Sequence, residues 1–208
     1  MPVRGLPSRT SSAVMLTLER AMFDAECDLA AVVYDQGDDP DTLLRDFAGS
    51  LQARGVRAVG LVQRVRRCLD AHEIAAMLVH SGVELPLLQR LGRHAGGCRL
   101  DVGQLLQAGS AVAGALSAGA DLLIINRFGR QESEGKGLTF LIEQALTSDV
   151  PVVIAVPAFR FAEWIRFAQG MSVRLRCDRR ALDEWWRNVS RRYAGFNEAR
   201  PTVCEVFK

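Results

Sequence analysis

Two short stretches of the chain concentrate the residues able to do chemistry. The first, Tyr34-Asp35-Gln36-Gly37-Asp38-Asp39-Pro40-Asp41, sets four carboxylates ahead of Thr42-Leu43-Leu44. Such a group can hold a divalent cation or a cationic ligand if further oxygens converge on it. It repels a polyphosphate, because each like-charge contact near 4 Å costs about 1 to 4 kcal/mol between bulk-water and surface dielectrics. A plainer role is local: Asp39 as the N-cap of a helix, Pro40 at its first position, and Asp41 complementing the helix dipole.

The second stretch runs Asn126-Arg127-Phe128-Gly129-Arg130 and on through Gln131-Glu132-Ser133-Glu134-Gly135-Lys136-Gly137. Arg127, Arg130 and Lys136 bring positive charge, while Gly129, Gly135 and Gly137 leave backbone N–H groups open to form an anion-binding nest. The competing expectation is that Arg127 and Arg130 pair with Glu132 and Glu134 as ordinary loop salt bridges. A third, shorter motif, Gly96-Gly97-Cys98-Arg99, precedes a helix, where Cys98 would gain thiolate character and Arg99 would add charge. Its bland alternative is a small buried residue beside a glycine turn. His72, His80 and His94 have no metal-ligand spacing, so they read as surface or hairpin residues and no metal site is expected; no Ser-His-Asp arrangement can be assembled either.

The elements that must position these stretches follow from periodicity. Apolar runs at Leu29–Tyr34, Val56–Gln63, Asp121–Ile125 and Val150–Val156 read as strands buried on both faces, with a short one at Ser172–Arg176. Helical spacing marks Asp41–Arg54, which Gly55 ends, then Val102–Ala118, Leu138–Leu146, Phe161–Gln169 and Ala181–Arg191. Between them, Asp70–Leu78 has helical character, whereas Met77–His80, Ser81-Gly82 and Val83–Leu88 read as a hairpin with a two-residue turn; the hairpin is preferred. Trp164, Trp185 and Trp186 follow helical apolar faces, as core or interface anchors do. Strands alternating with helices imply an α/β fold with a mostly parallel sheet flanked by helices. Ligands in such folds sit beyond the carboxyl ends of the strands, where both chemical stretches fall.

The 208 residues, 49% hydrophobic and 24% charged, suit one compact domain over residues 28–191, with a loose extension at 1–27 and a tail at 192–208. The formal charge of +2 has no block of like sign, which argues against nucleic acid or a membrane surface as partner. No apolar run approaches the roughly 20 residues of a membrane span, and the five scattered cysteines contain no C-x-x-C pair. A reduced, cytoplasmic setting is therefore expected.

The run Asp121-Leu122-Leu123-Ile124-Ile125-Asn126-Arg127-Phe128-Gly129-Arg130 resembles the second motif of the small thermophile-type nucleoside-triphosphatases of the P-loop kinase group, where an apolar strand ends in Asp-Glu, an apolar residue, Gly and Lys. The loop at 34–44 then falls where that family has its phosphate-gripping Walker A loop. Together with the motifs at 96–101 and 131–137, the chain looks more closely like a bacterial family of unknown function, often encoded beside molybdate-transport and molybdenum-enzyme genes.

The resemblance implies a P-loop-like but degenerate scaffold. Matched to the Walker pattern, Tyr34 and Asp39 stand at glycine positions, Pro40 at the lysine and Asp41 at the hydroxyl, while Asn126 and Arg127 replace the acidic pair. The expectation is a non-catalytic or regulatory protein accessory to molybdenum handling. Its ligand is a small anion, molybdate or another oxyanion, a carboxylate or a nucleotide in a changed pose, touching Asn126, Arg127, Gly129, Arg130, Lys136, Cys98 and Arg99, with Tyr34, Asp35, Gln36 and Gly37 on the acidic side. ATP with magnesium is disfavoured, and a protein of molybdenum transport or cofactor assembly is the implied partner. The rival reading is a nucleotide-binding phosphohydrolase or kinase with a non-standard phosphate site.

Overall fold

The computed structural model describes residues 27–68, 71–87 and 101–198. They form one seven-stranded sheet in the order β4-β3-β2-β5-β6-β1-β7. Its strands are β1 (Leu29–Tyr34), β2 (Ala58–Cys68), β3 (Ala71–Leu78), β4 (Glu84–Pro86), β5 (Leu122–Ile125), β6 (Val152–Pro157) and β7 (Val173–Arg176). The helices are α1 (Pro40–Gln52), α2 (Val102–Ser117), the short α3 (Arg130–Ser133), α4 (Thr139–Thr147), α5 (Phe161–Ala168) and α6 (Arg179–Glu198). The mostly parallel α/β architecture read from the sequence is the one observed.

The parallel strands are β2, β5, β6, β1 and β7. Their residues alternate between two cores. Ala31, Val33, Leu123, Ile125, Val152 and Ile154 face α2, α4 and α5, whose contributions include Val112, Leu141 and Trp164. Ala30, Val32, Leu122, Ile124, Val153 and Ala155 face α1 and α6, which supply Leu44, Phe47, Leu51, Trp185 and Val189. A strand buried on both sides needs no polar alternation, which is why β1, β5 and β6 are unbroken apolar runs.

All three tryptophans are buried in these cores, with Trp185 Nε1 donating to the Cys27 carbonyl at 2.9 Å and Trp164 Nε1 to Ser172 Oγ at 3.1 Å. At one crossing a glycine is required: β2 runs so close to β5 that a Cβ on Gly60, whose φ is +138°, would collide with the Ile124 carbonyl.

The antiparallel part of the sheet is larger than a hairpin at 77–88. Only Ala58–Leu61 of β2 pairs with β5; onward to Cys68 it pairs with β3, which pairs in turn with β4. The β2–β3 ribbon thus continues past the carboxyl edge of the parallel strands. Its sequence, Gln63-Arg64-Val65-Arg66-Arg67, has no apolar run to announce a strand, because a ribbon that overruns the sheet is not sandwiched between helices. The β3–β4 turn occupies Val79–Val83 rather than two residues, closed by the Leu78 N–H to the Val83 carbonyl at 2.8 Å. Helix α6 runs on to Glu198, beyond the expected end at Arg191.

After β1 the chain enters α1 on one face of the sheet, and after β6 it enters α5 on the other. Since β1 and β6 are neighbours, their helices diverge, which makes the carboxyl ends of β6 and β1, with β5 beside them, the topological switch point, the crevice where sheets of this kind take ligands.

Candidate functional site

The β1 side of the crevice is lined by carboxylates that accept from its own amides. Asp39 Oδ1 accepts the Thr42 N–H at 3.0 Å, with Pro40 at the first helical position, as the capping reading expects. Asp38 Oδ2 accepts the Asp35 N–H at 2.8 Å. The amide of Thr42, at the start of α1, and that of Asp35 are therefore spent on side chains. Gln36 and Gly37 form the exposed tip of the turn. The Thr42 amide holds the Asp39 carboxyl below the usual carboxylate range.

Cys177, just beyond β7, reports the same field. Burial, reinforced by Asp38, Asp39, Asp178 and Asp41, pushes its thiol up to about 11. Burial likewise raises the Tyr34 phenol, with Arg127 opposing and Asp41 and Cys177 adding to the rise. Sequence reasoning missed Cys177, because its isolated place after a short strand gives no local sign of these neighbours.

Arg127 joins the two chemical loops. One of its Nη atoms donates to Asp41 Oδ1 at 3.3 Å and Oδ2 at 3.4 Å, and its guanidinium carbon stands 5.6 Å from the centre of the Tyr34 ring. Its expected partner, Glu132, is engaged elsewhere. Beside Arg127, at the end of β5, Asn126 is 2% exposed, and neither Oδ1 nor Nδ2 has a hydrogen-bond partner among the described residues. A buried amide in that state costs stability unless something satisfies it.

The glycine loop holds an internal anion. Glu132, 5% exposed, accepts the Gly129 N–H on Oε2 and the Leu138 N–H on Oε1, both at 3.0 Å. The Gly135 N–H goes to the Glu132 carbonyl at 3.1 Å, and any Cβ on Gly137 would collide with the Glu132 carboxylate. The open nest expected of these glycines is thus occupied from within, by a side chain of the same loop.

The comparisons with known proteins bear on this edge-of-sheet geometry. Residues 29–185 match the model of the family described as "Protein of unknown function (DUF2478)". The chain belongs to this family. It is also 37% identical over 177 residues to the molybdenum import ATP-binding protein ModC 2 of Bradyrhizobium diazoefficiens, a match covering 84% of this chain and 20% of that one. The chain therefore spans about a fifth of the length of the curated relative it matches. The solution structure of a human cancer-related nucleoside triphosphatase has a similar fold, with a TM-score of 0.54 at 15% identity, covering 83% of this chain and 99% of that one. The fold is P-loop NTPase-like.

Within the DUF2478 stretch, the structure brings Tyr34, Asp41 and Arg127 together at the crevice, with Asn126 buried beside Arg127. Arg130 and Lys136 instead converge on exposed Glu134, at 2.9 Å and 3.5 Å. Cys98 and Arg99 lie outside the described residues. Among the described residues, no group of three or more His, Cys, Asp or Glu side chains is arranged to hold a metal, and no helix is long and apolar enough to cross a membrane. Arg130 also lines a hollow with Arg160 and Arg166, two arginines the sequence reading did not single out. They follow β6 on α5 and its preceding turn, and only the fold brings them near α3.

Proposed function

We propose that this protein is a non-catalytic, regulatory ligand-binding protein that takes a small oxyanion at the β5 side of the crevice and serves molybdenum handling in the cytoplasm. The observation that carries this reading is the pairing of Asn126, buried with its amide unsatisfied, with Arg127, whose long bonds to Asp41 leave its side chain 42% exposed. A guanidinium and an amide N–H together offer the donors an oxyanion needs. The ligand meets them as Arg127 turns away from Asp41.

The β1 side supports the non-catalytic part. It has neither lysine nor Ser/Thr at the phosphate-gripping positions, and its carboxylates occupy the Thr42 amide at the helix start and the Asp35 amide before it. Molybdate is the candidate oxyanion because the curated relative is named for molybdenum import. On this reading, ATP binding in that relative belongs to the four fifths of its length outside the match. The partner of the present chain is then a protein of molybdenum transport or cofactor assembly.

Calorimetric titration with molybdate, tungstate, sulfate, ATP and GTP tests the proposal. Binding of molybdate or tungstate that disappears in Arg127→Ala is the expected result; binding of no oxyanion would overturn it. The rival reading, a phosphohydrolase or kinase, draws on the fold and the relative's name. It requires magnesium-dependent phosphate release from ATP above that of a Lys136→Ala control.

A further inference from the structure

A second concavity lies where α3 faces α5 and the turn Ala158–Arg160 that leads into it. It is an open hollow of about 710 Å³, a volume typical of small-molecule sites. Three guanidinium groups, those of Arg130, Arg160 and Arg166, line it against two carboxylates, Glu134 and Glu163, so the lining carries one net positive charge (three minus two).

Two of these arginines are anchored. Arg160 donates to Glu163 at 2.6 Å, and its guanidinium carbon stands 5.4 Å from the centre of the Phe159 ring; Arg130 donates to Glu134 at 2.9 Å. Arg166 has no ion pair among the described residues. The apolar wall is Phe167, whose ring centroid lies 5.6 Å from those of both Phe128 and Trp164, and both of those partners are fully buried. A wall backed by close-packed rings keeps its shape, and Arg160, held between Glu163 and the Phe159 ring, loses little freedom when an anion arrives.

We propose that this hollow is a second ligand site, separate from the crevice, for a phosphate-bearing small molecule with a flat apolar group. The phosphoryl oxygens sit among the arginine forks, which match phosphate geometry with paired N–H bonds. The flat group lies on Phe167. A bare inorganic oxyanion would leave this wall unused, and an uncharged aromatic would leave the guanidinium groups unused. The proposal stands whether or not the crevice binds an oxyanion.

Titration of the full chain with phenyl phosphate, inorganic phosphate and phenol decides it. Phenyl phosphate is expected to bind saturably and more tightly than either fragment. Arg166→Ala and Arg160→Ala should each weaken it about tenfold or more, the worth of one charge-assisted contact. Arg166→Lys should recover part of the loss, and the same ranking of ligands and variants is expected in an Arg127→Ala background, in which the crevice takes no oxyanion. Arg166 is exposed, so its variant should keep the wild-type melting temperature and circular dichroism. The proposal falls if, in the Arg127→Ala background, phenyl phosphate does not saturate, either fragment binds as tightly, or Arg166→Ala has no effect.

Discussion

The two loops that flank the crevice silence their own amides in different ways. At the start of α1, Asp38 and Asp39 are exposed carboxylates that cap neighbouring N–H groups from the solvent side. In the 129–138 loop, Glu132 is buried and ties the beginning of the loop to its end. The first arrangement leaves negative charge facing outward. The second encloses its carboxylate and leaves Arg127, Arg130 and Lys136 on the surface. The sign of charge offered to a ligand therefore depends on where each carboxylate is sheltered as well as on which charges the loop contains.

The sharpest way to break this comparison is to remove the sheltered carboxylate. Glu132→Ala strands the Gly129 and Leu138 amides, and since hydrogen bonds to a charged group are worth about 1.5 to 3 kcal/mol each, it should destabilise the protein by about 3 kcal/mol in urea unfolding. A loss no larger than that of an exposed cap would erase the distinction.

The next effect concerns reactivity. With its thiol pushed from 9.0 to about 11, Cys177 has about a hundredth of the ordinary thiolate fraction near pH 8, and after the higher nucleophilicity of a more basic thiolate it should be alkylated about tenfold more slowly than an equally accessible ordinary cysteine, as followed by peptide mass spectrometry. Asp38→Asn combined with Asp41→Asn should speed the reaction; an unchanged rate would show that the acidic side exerts no field on its neighbours.

Asn126→Leu should move stability the other way. Replacing an unsatisfied buried amide with an apolar side chain of similar size is expected to stabilise the fold by about 1 kcal/mol while abolishing oxyanion binding. Lower stability would mean that the amide is already satisfied in the folded protein.

The smallest effect belongs to Asp39→Ala, the exposed cap, at about 1 kcal/mol or less. The folded-state pKa of Asp39 lies below its ordinary 3.8, so its contribution is complete above 3.8 and fades as the pH falls through the folded value. Urea midpoints of wild type and variant should therefore converge in acid and separate toward neutrality.

The α1 entrance was legible from the sequence because everything that defines it lies within four residues: Asp39 caps Thr42 across Pro40 and Asp41. Strands β1, β5 and β6 were legible because burial on two faces writes itself as an apolar run. The 129–138 loop was half legible. The Arg130–Glu134 pair is an i,i+4 contact, but the role of Glu132 depends on a backbone that doubles back to Leu138. The contact of Arg127 with Asp41, the gathering of carboxylates around Cys177, and the meeting of Arg130 with Arg160 and Arg166 are products of the fold and leave no local pattern. The β2–β3 ribbon was misjudged in extent because its charged segment lacks the apolar run used to recognise strands.

The position of β1 carries a consequence for synthesis. It is the first strand among the described residues, yet its partners are β6 and β7, with Leu29 beside Val152 and Ala30 beside Val173. A nascent chain must carry this apolar segment, unpaired, until nearly the whole domain has left the ribosome, and contacts so distant in sequence close slowly. Chains truncated after β5 should therefore collect as aggregates or on chaperones, since β1 has nothing yet to lie against.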